Sequence, residues 1–118
     1  MIERFGVRPR LAKAVKFGEL VILAGEVADD PALDLQEQTA AVLAKIDAQL
    51  AQCGTNRSQL LYAQIWLADM SGFAAMNKVW DAWIDPERPP ARATVGAALA
   101  KPHNLVEIQV VAATGNAA

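Results

Sequence analysis

Near its carboxyl terminus the chain alternates apolar and polar residues in period two, and this pattern restricts the fold most narrowly. The apolar positions are Val106, Ile108 and Val110. Glu107 and Gln109 fall between them and therefore on the opposite face. The alternation predicts a β-strand with one buried face. A carboxylate in the middle of such a strand is unusual unless a function requires it, so Glu107 is a candidate functional residue.

A second extended segment precedes this strand and carries an arginine. Arg92 follows Pro89-Pro90, which cannot continue a helix and favours extended backbone. Arg92 and Glu107 are fifteen residues apart, on strands that we expect in one sheet. If these strands pair, a guanidinium and a carboxylate meet on one small patch, the best candidate for chemistry in this chain. The alternative interpretation is a structural ion pair at a subunit contact.

Composition and charge exclude several classes of protein. The 118 residues predict one domain, spanning 1–118, with a single core. The net charge of −2 argues against a nucleic-acid partner, which normally requires a basic excess. The hydrophobic fraction of 53% is high for so small a domain and predicts apolar surface hidden between subunits.

Single cysteine and histidine residues limit the chemistry further. Cys53 has no partner for an internal disulfide, which fits a reducing compartment, and its spacing predicts a small core residue. With His103 as the only histidine, neither a His-paired nucleophile nor a multi-His metal site is available. No secretory signal and no apolar run of roughly 18 residues is found. We expect a cytoplasmic protein without a membrane partner, metal or organic cofactor.

The remaining patterns predict the order β-β-α-β-α-β-β, with an extra strand at residues 2–6. Asp34 and Glu37 form a capping-box pair at the start of the first helix, and Gly54 marks its end. Ser71 is expected to cap the second helix. The face of the strand 59–67 that we expect to be buried comprises Leu61, Ala63, Ile65 and Leu67. Two helices cover only one face of such a sheet, so the other face meets water or another subunit.

Taken together, these residues resemble the RidA/YjgF/RutC family over roughly residues 11 to 113. The stretch Phe73–Trp83 is most similar to the YoaB-like branch. The other matching stretches are Gly18 with Ala24-Gly25, Gln38-Thr39, Leu67-Ala-Asp69, Pro90-Ala-Arg92 and Val106-Glu-Ile108. Each is weak alone, but their order and spacing are specific.

The resemblance implies a chorismate-mutase-like α+β fold, with a mixed sheet and two helices on one face, in a homotrimer with clefts between subunits. It also implies hydrolysis of 2-imino acids, such as 2-aminoacrylate and 2-iminobutyrate, to 2-keto acids and ammonia. The family's essential arginine matches Arg92, and its water-positioning glutamate matches Glu107. Asn77 matches a commonly retained position and is a candidate substrate-binding residue beside Arg92.

Three positions depart from the family pattern and bear on the identity of the substrate. Leu11 stands where the family has a tyrosine in the cleft, Ala24 where it has a serine, and Gln109 where it has a second carboxylate. The arginine that would anchor a carboxylate is unchanged.

The predicted chemistry needs no cofactor. Arg92 suits a planar carboxylate because its fork donates two parallel charge-assisted bonds. Glu107 would orient and deprotonate a water, with Arg92 nearby keeping the carboxylate ionised. The alternatives are a non-catalytic trimer that binds small carboxylates, a RutC-like hydrolase of other enamines, and a ribonuclease, against which the acidic charge argues.

Overall fold

The computed structural model describes residues 1–115 and has a mixed six-stranded sheet covered on one face by two helices. The strands are β1 (Ile2–Val7), β2 (Ala12–Phe17), β3 (Leu20–Leu23), β4 (Leu60–Leu67), β5 (Ala91–Gly96) and β6 (Val106–Ala113). The helices are α1 (Leu35–Gln52) and α2 (Phe73–Trp83). The strand order in the sheet is β1-β2-β3-β6-β4-β5. The predicted fold class and order of elements are confirmed; the predicted domain 1–118 includes residues 116–118, which lie outside the described part.

The core lies between the sheet and the helices, and β6 contributes its alternating apolar side chains to it. Val106, Ile108 and Val110 are fully buried, whereas Glu107 and Gln109 are half-buried on the other face. Helix α1 supplies the opposing layer with Val42, Leu43, Ile46 and Leu50. The period-two prediction for β6 is therefore confirmed.

Both ends of α1 follow the sequence signals. The Asp34 carboxylate accepts a hydrogen bond of 2.8 Å from the amide of Glu37, and the Glu37 carboxylate accepts one of 3.0 Å from the amide of Asp34. Gly54 adopts φ +78° just beyond the last turn, a conformation that strains residues with a Cβ. Cys53 at the C-cap is buried, and this burial raises the pKa of its thiol, so it has the character of a core residue.

A β-bulge in β4 changes which of two adjacent leucines is buried. The register with β6 shifts between Leu60 and Tyr62. As a result Leu60 is buried in place of Leu61, which is exposed, so the prediction for Leu61 was wrong. Beyond the bulge Ala63, Ile65 and Leu67 are buried as expected.

The start of α2 also differs from the prediction. Asp69, rather than Ser71, supplies the capping carboxylate, which accepts a hydrogen bond of 2.9 Å from the amide of Ser71. This bond begins a short 3₁₀ turn, Met70–Gly72, and α2 continues from it with no side-chain cap of its own. An aspartate four residues before the first residue of the helix thus takes the role expected of the nearer serine.

The sheet face away from the helices carries a row of large apolar side chains that are at least one third exposed. They are Phe17, Leu20, Ile22, Tyr62 and Val95. These residues lie on both sides of β6, and so many exposed large apolar side chains on one sheet face are unusual for a monomer. Of the described helices, neither is long and apolar enough to cross a membrane.

We expect Asp34→Ala to lower the free energy of unfolding by about 1 kcal/mol, because it removes the capping box of α1. Ser71→Ala should change it by less than ~0.5 kcal/mol, since Asp69 holds that turn. Urea unfolding at one fixed protein concentration measures both. An equal loss in the two variants would contradict this assignment of the caps.

Candidate functional site

Arg92 lies on the helix-covered side of the sheet and faces two aromatic rings. It is level with Ala63 of β4, so its side chain shares the face of that buried residue. Its guanidinium carbon is 5.3 Å from the centre of the Trp80 ring and 5.8 Å from that of Phe73, within the range of cation–π attraction. Among residues 1–115, no carboxylate lies within 4.0 Å of its nitrogens. The guanidinium nitrogens of Arg92 are therefore available to an anionic ligand.

The aromatic support of Arg92 is itself held in place. The Trp80 ring packs against Trp83, with the centroids 5.4 Å apart. The indole N–H of Trp83 donates a 3.0 Å hydrogen bond to Asp47 of α1. Arg57 stacks on the same ring of Trp83 at 4.9 Å and donates a 2.7 Å hydrogen bond to Asp47. These contacts fix the ring on which Arg92 rests, which limits the orientations of its guanidinium group.

Arg92 and Asn77 line one cavity, as the predicted substrate-binding pair requires. The cavity has a volume of about 310 Å³ and is lined by Asn77, Trp80, Asp81, Pro89, Pro90 and Arg92. The Asn77 Oδ1 atom is buried and lacks a hydrogen-bond partner among the described residues. A buried acceptor without a donor is costly, so this oxygen would gain from a donor that reaches it.

Glu107 occupies the opposite side of the sheet and lies against a glycine. It is level with Trp66 of β4, on the face away from the helices. Its carboxylate sits so close to Gly25 that a Cβ at that position would collide with it. The next residue, Glu26, exchanges two backbone hydrogen bonds with Ile108, of 2.9 and 3.1 Å, which fix Gly25 beside β6.

Burial and the nearby carboxylate of Glu26 both act on the ionisation of Glu107. Glu26 is buried, and its Oε1 accepts a 2.9 Å hydrogen bond from Lys13, while its Oε2 has no partner among the described residues. Burial raises the pKa of Glu107, and the Glu26 charge raises it further. The expectation that Arg92 keeps Glu107 ionised is therefore wrong within one chain.

The two central residues do not meet within a single chain. Strands β5 and β6 both pair with β4, which lies between them. Arg92 and Glu107 are thus separated by two strand spacings, about 10 Å, and by three residues along β4, about another 10 Å. Their side chains also project from opposite faces, so the predicted patch does not form within one chain. The alternative, an ion pair at a subunit contact, stays a prediction.

Sequence reasoning overlooked two residues of this region. Glu26 was not singled out by the sequence, although its backbone forms a bridge to β6. Gly25 was recognised only within a motif, and the close approach of Glu107 gives its physical reason. His103 lies in the loop before β6, where its carbonyl accepts a 2.8 Å hydrogen bond from Gln38. Within residues 1–115 no cluster of three metal-ligating side chains is found.

We expect Glu26→Gln to lower the pKa of Glu107, because it removes a like charge and leaves Lys13 nearby without its partner. Carbon-13 NMR titration of the glutamate carboxyls measures this shift. Asp29→Asn is the control, since the exposed Asp29 pairs with Lys45 and does not contribute to the pKa of Glu107. An unchanged pKa in Glu26→Gln would show that burial alone perturbs Glu107.

Comparison with known proteins places this geometry in a family. Residues 1–114 match the family model described as Endoribonuclease L-PSP. A RutC family protein of Haemophilus influenzae is 44% identical over 115 residues, covering 94% of this chain and 97% of the relative. The RutC family protein YoaB of Escherichia coli is 54% identical over 80 residues, covering 68% and 70%. A YjgF family member from Neisseria meningitidis superposes with a TM-score of 0.95 at 45% identity, covering 99% and 98%. The chain therefore belongs to the RidA/YjgF/RutC family.

Proposed function

We propose that this protein is an imine deaminase that hydrolyses 2-imino acids to 2-keto acids and ammonia. The observation that carries the proposal is the guanidinium of Arg92, which has no carboxylate partner among the described residues and opens into a cavity beside Asn77. A positive fork and a single unpaired carbonyl oxygen complement the carboxylate and the N–H of a small imino acid.

The active site in this proposal is formed between two subunits of a homotrimer. Arg92 faces the helices and Glu107 faces the other way, so one chain supplies only one of them to a given cleft. The apolar row on the uncovered sheet face supplies the contact surface that brings subunits together. The partner subunit's Glu107 then lies across the cleft from Arg92. Membership of the family supports this arrangement.

The reaction follows from the three polar groups. Arg92 holds the substrate carboxylate, and Asn77 Oδ1 accepts a hydrogen bond from the imine nitrogen. Glu107 accepts a proton from water as the water oxygen adds to the imine carbon. That proton passes to the nitrogen and gives a carbinolamine. The carbinolamine hydroxyl then loses its proton to Glu107, the nitrogen takes this second proton as the carbon–nitrogen bond breaks, and a keto acid and ammonia remain. Because the uncatalysed reaction is already fast, placing the water and substrate correctly provides sufficient acceleration.

Assembly also adjusts the acidity of Glu107. In one chain, burial and Glu26 disfavour its ionised form. In the cleft the guanidinium of Arg92 from the neighbouring subunit opposes both effects. Assembly therefore lowers the pKa of Glu107 from its single-chain value and favours the ionised carboxylate that acts as the base.

Other functions remain alternatives that a direct assay separates. A trimer that only binds small carboxylates would hold keto acids through Arg92 without releasing ammonia. An enamine hydrolase of the RutC type would use the same residues on another substrate. The family description also names an endoribonuclease, although a net charge of −2 gives little attraction for RNA. An RNA degradation assay beside the imine assay distinguishes this last reading.

We expect the protein to sediment as a trimer, with three times the chain mass of 12.6 kDa. Replacing Ile22 by aspartate should dissociate it, because this places a charge on the apolar sheet face. Analytical ultracentrifugation at micromolar concentration measures both. A monomeric parent protein would contradict the proposed site.

Mixing two inactive variants tests the shared site directly. We expect Arg92→Ala and Glu107→Gln to be nearly inactive when purified separately. Unfolding and reassembling them together should restore about a quarter of the parent activity, because random mixed trimers with threefold symmetry contain intact clefts. Ammonia release from imines generated by an amino-acid oxidase measures this activity. If the mixture stays inactive while mixed trimers are present, Arg92 and Glu107 do not share a cleft across subunits.

A further inference from the structure

The turn between β1 and β2 forms a positively charged cavity that the proposed reaction does not yet use. Its volume is about 420 Å³, and it is lined by Arg8, Pro9, Arg10, Leu11 and Lys13. Within residues 1–115, neither Arg8 nor Arg10 has a carboxylate within 4.0 Å. Two unneutralised guanidinium groups on one concave surface are notable in a chain of net charge −2.

The backbone of the turn that carries these charges is ordered. The amide of Arg8 donates a 2.7 Å hydrogen bond to the carbonyl of Leu11, which closes the loop, and Pro9 fixes one backbone angle within it. Lys13 is held by its 2.9 Å ion pair with Glu26. The cavity is therefore part of the ordered hairpin, and Arg8 and Arg10 are exposed on it.

The cavity lies close to Glu107. The carbonyl of Lys13, which lines it, accepts a 2.9 Å hydrogen bond from Ala24. The adjacent Gly25 contacts the Glu107 carboxylate. Lys13 and Glu107 thus stand on strands two positions apart in the sheet, about 10 Å from each other. The side chains of Arg8 and Arg10 are long enough to extend across part of this distance, so the substrate itself has to span only the remainder.

We propose that this cavity binds the second carboxylate of a 2-imino dicarboxylic acid, so that the enzyme prefers substrates with an acidic side chain. The inference rests on the proposed function and names its substrate class. The 2-carboxylate lies on Arg92 of one subunit, the imine carbon lies at the partner subunit's Glu107, and the distal carboxylate lies between that subunit's Arg8 and Arg10. Leu11, half-exposed in the cavity, packs against the intervening methylene groups.

The departure at Leu11 is consistent with this assignment. The family has a tyrosine there, whose hydroxyl would offer a single neutral hydrogen bond. Leu11 offers none, and the flanking Arg8 and Arg10 present charged donors instead. A charged donor bonds a carboxylate about twice as strongly as a neutral one, which favours an anionic side chain over a small neutral one.

The test compares imines from two amino acids, generated in place by oxidases. Alanine gives an imine with a neutral side chain, and glutamate gives one with a carboxylate. The parent protein, Arg8→Gln, Arg10→Gln and the double variant are each assayed for accelerated ammonia release. Arg4→Gln is the matched control, because Arg4 is an exposed arginine on β1 outside the cavity.

We expect kcat/KM for the glutamate-derived imine to fall about two- to fivefold in each single variant and further in the double variant. The value for the alanine-derived imine should stay within about twofold, and Arg4→Gln should resemble the parent. The parent's preference should also weaken as salt is added, because the cavity is open to solvent.

A binding measurement separates failure of this inference from failure of the proposed function. By calorimetry, 2-oxoglutarate should bind the parent more tightly than pyruvate does, and the double variant should abolish that difference. If the parent hydrolyses the alanine-derived imine but shows neither preference, the dicarboxylate inference is overturned and the proposed function stands. If the parent hydrolyses neither imine, the proposed function is wrong, and the dicarboxylate inference that rests on it is overturned as well.

Discussion

One parallel strand pair, β4 with β5, determines how the rest of the molecule is arranged. Parallel neighbours need a crossover, and α2 supplies it by running back over the sheet between them. That crossover puts α2 directly above β5, which brings the ring of Trp80 to the guanidinium of Arg92. Because β5 occupies one side of β4, β6 pairs with the other side, and Glu107 therefore lies apart from Arg92. Both halves of the candidate site thus follow from one βαβ unit.

Local signals in the sequence were sufficient for most of the architecture. Asp34, Glu37 and Gly54 act through neighbours within a few residues, so the limits of α1 could be predicted from spacing alone. The buried face of β6 was equally clear from its alternation. The bulge in β4 could not be predicted, because the choice between Leu60 and Leu61 depends on the register with a strand that follows about forty residues later.

The sequence was sufficient to identify the residues of the candidate site, but not their positions relative to one another in the fold. Arg92 and Glu107 were recognisable because charged side chains in apolar strands are rare, and the family resemblance added Asn77. Strand adjacency, however, depends on the crossover, and consecutive strands in the chain need not be neighbours in the sheet. The influence of Glu26 on Glu107 was hidden for the same reason, since a backbone bridge to Ile108 brings the two carboxylates together.

The opposite orientation of Arg92 and Glu107 has a consequence for how such a protein behaves at low abundance. If the proposed cleft between subunits is the active site, a lone chain holds Arg92 and Glu107 on surfaces that cannot serve the same molecule, and a newly made subunit is catalytically silent. Its specific activity then depends on dilution, and weak association lowers turnover without any change to the chemistry. Substitutions on the apolar sheet face, far from any reacting atom, act through the same dependence. Expression level thereby becomes a determinant of catalytic output per chain.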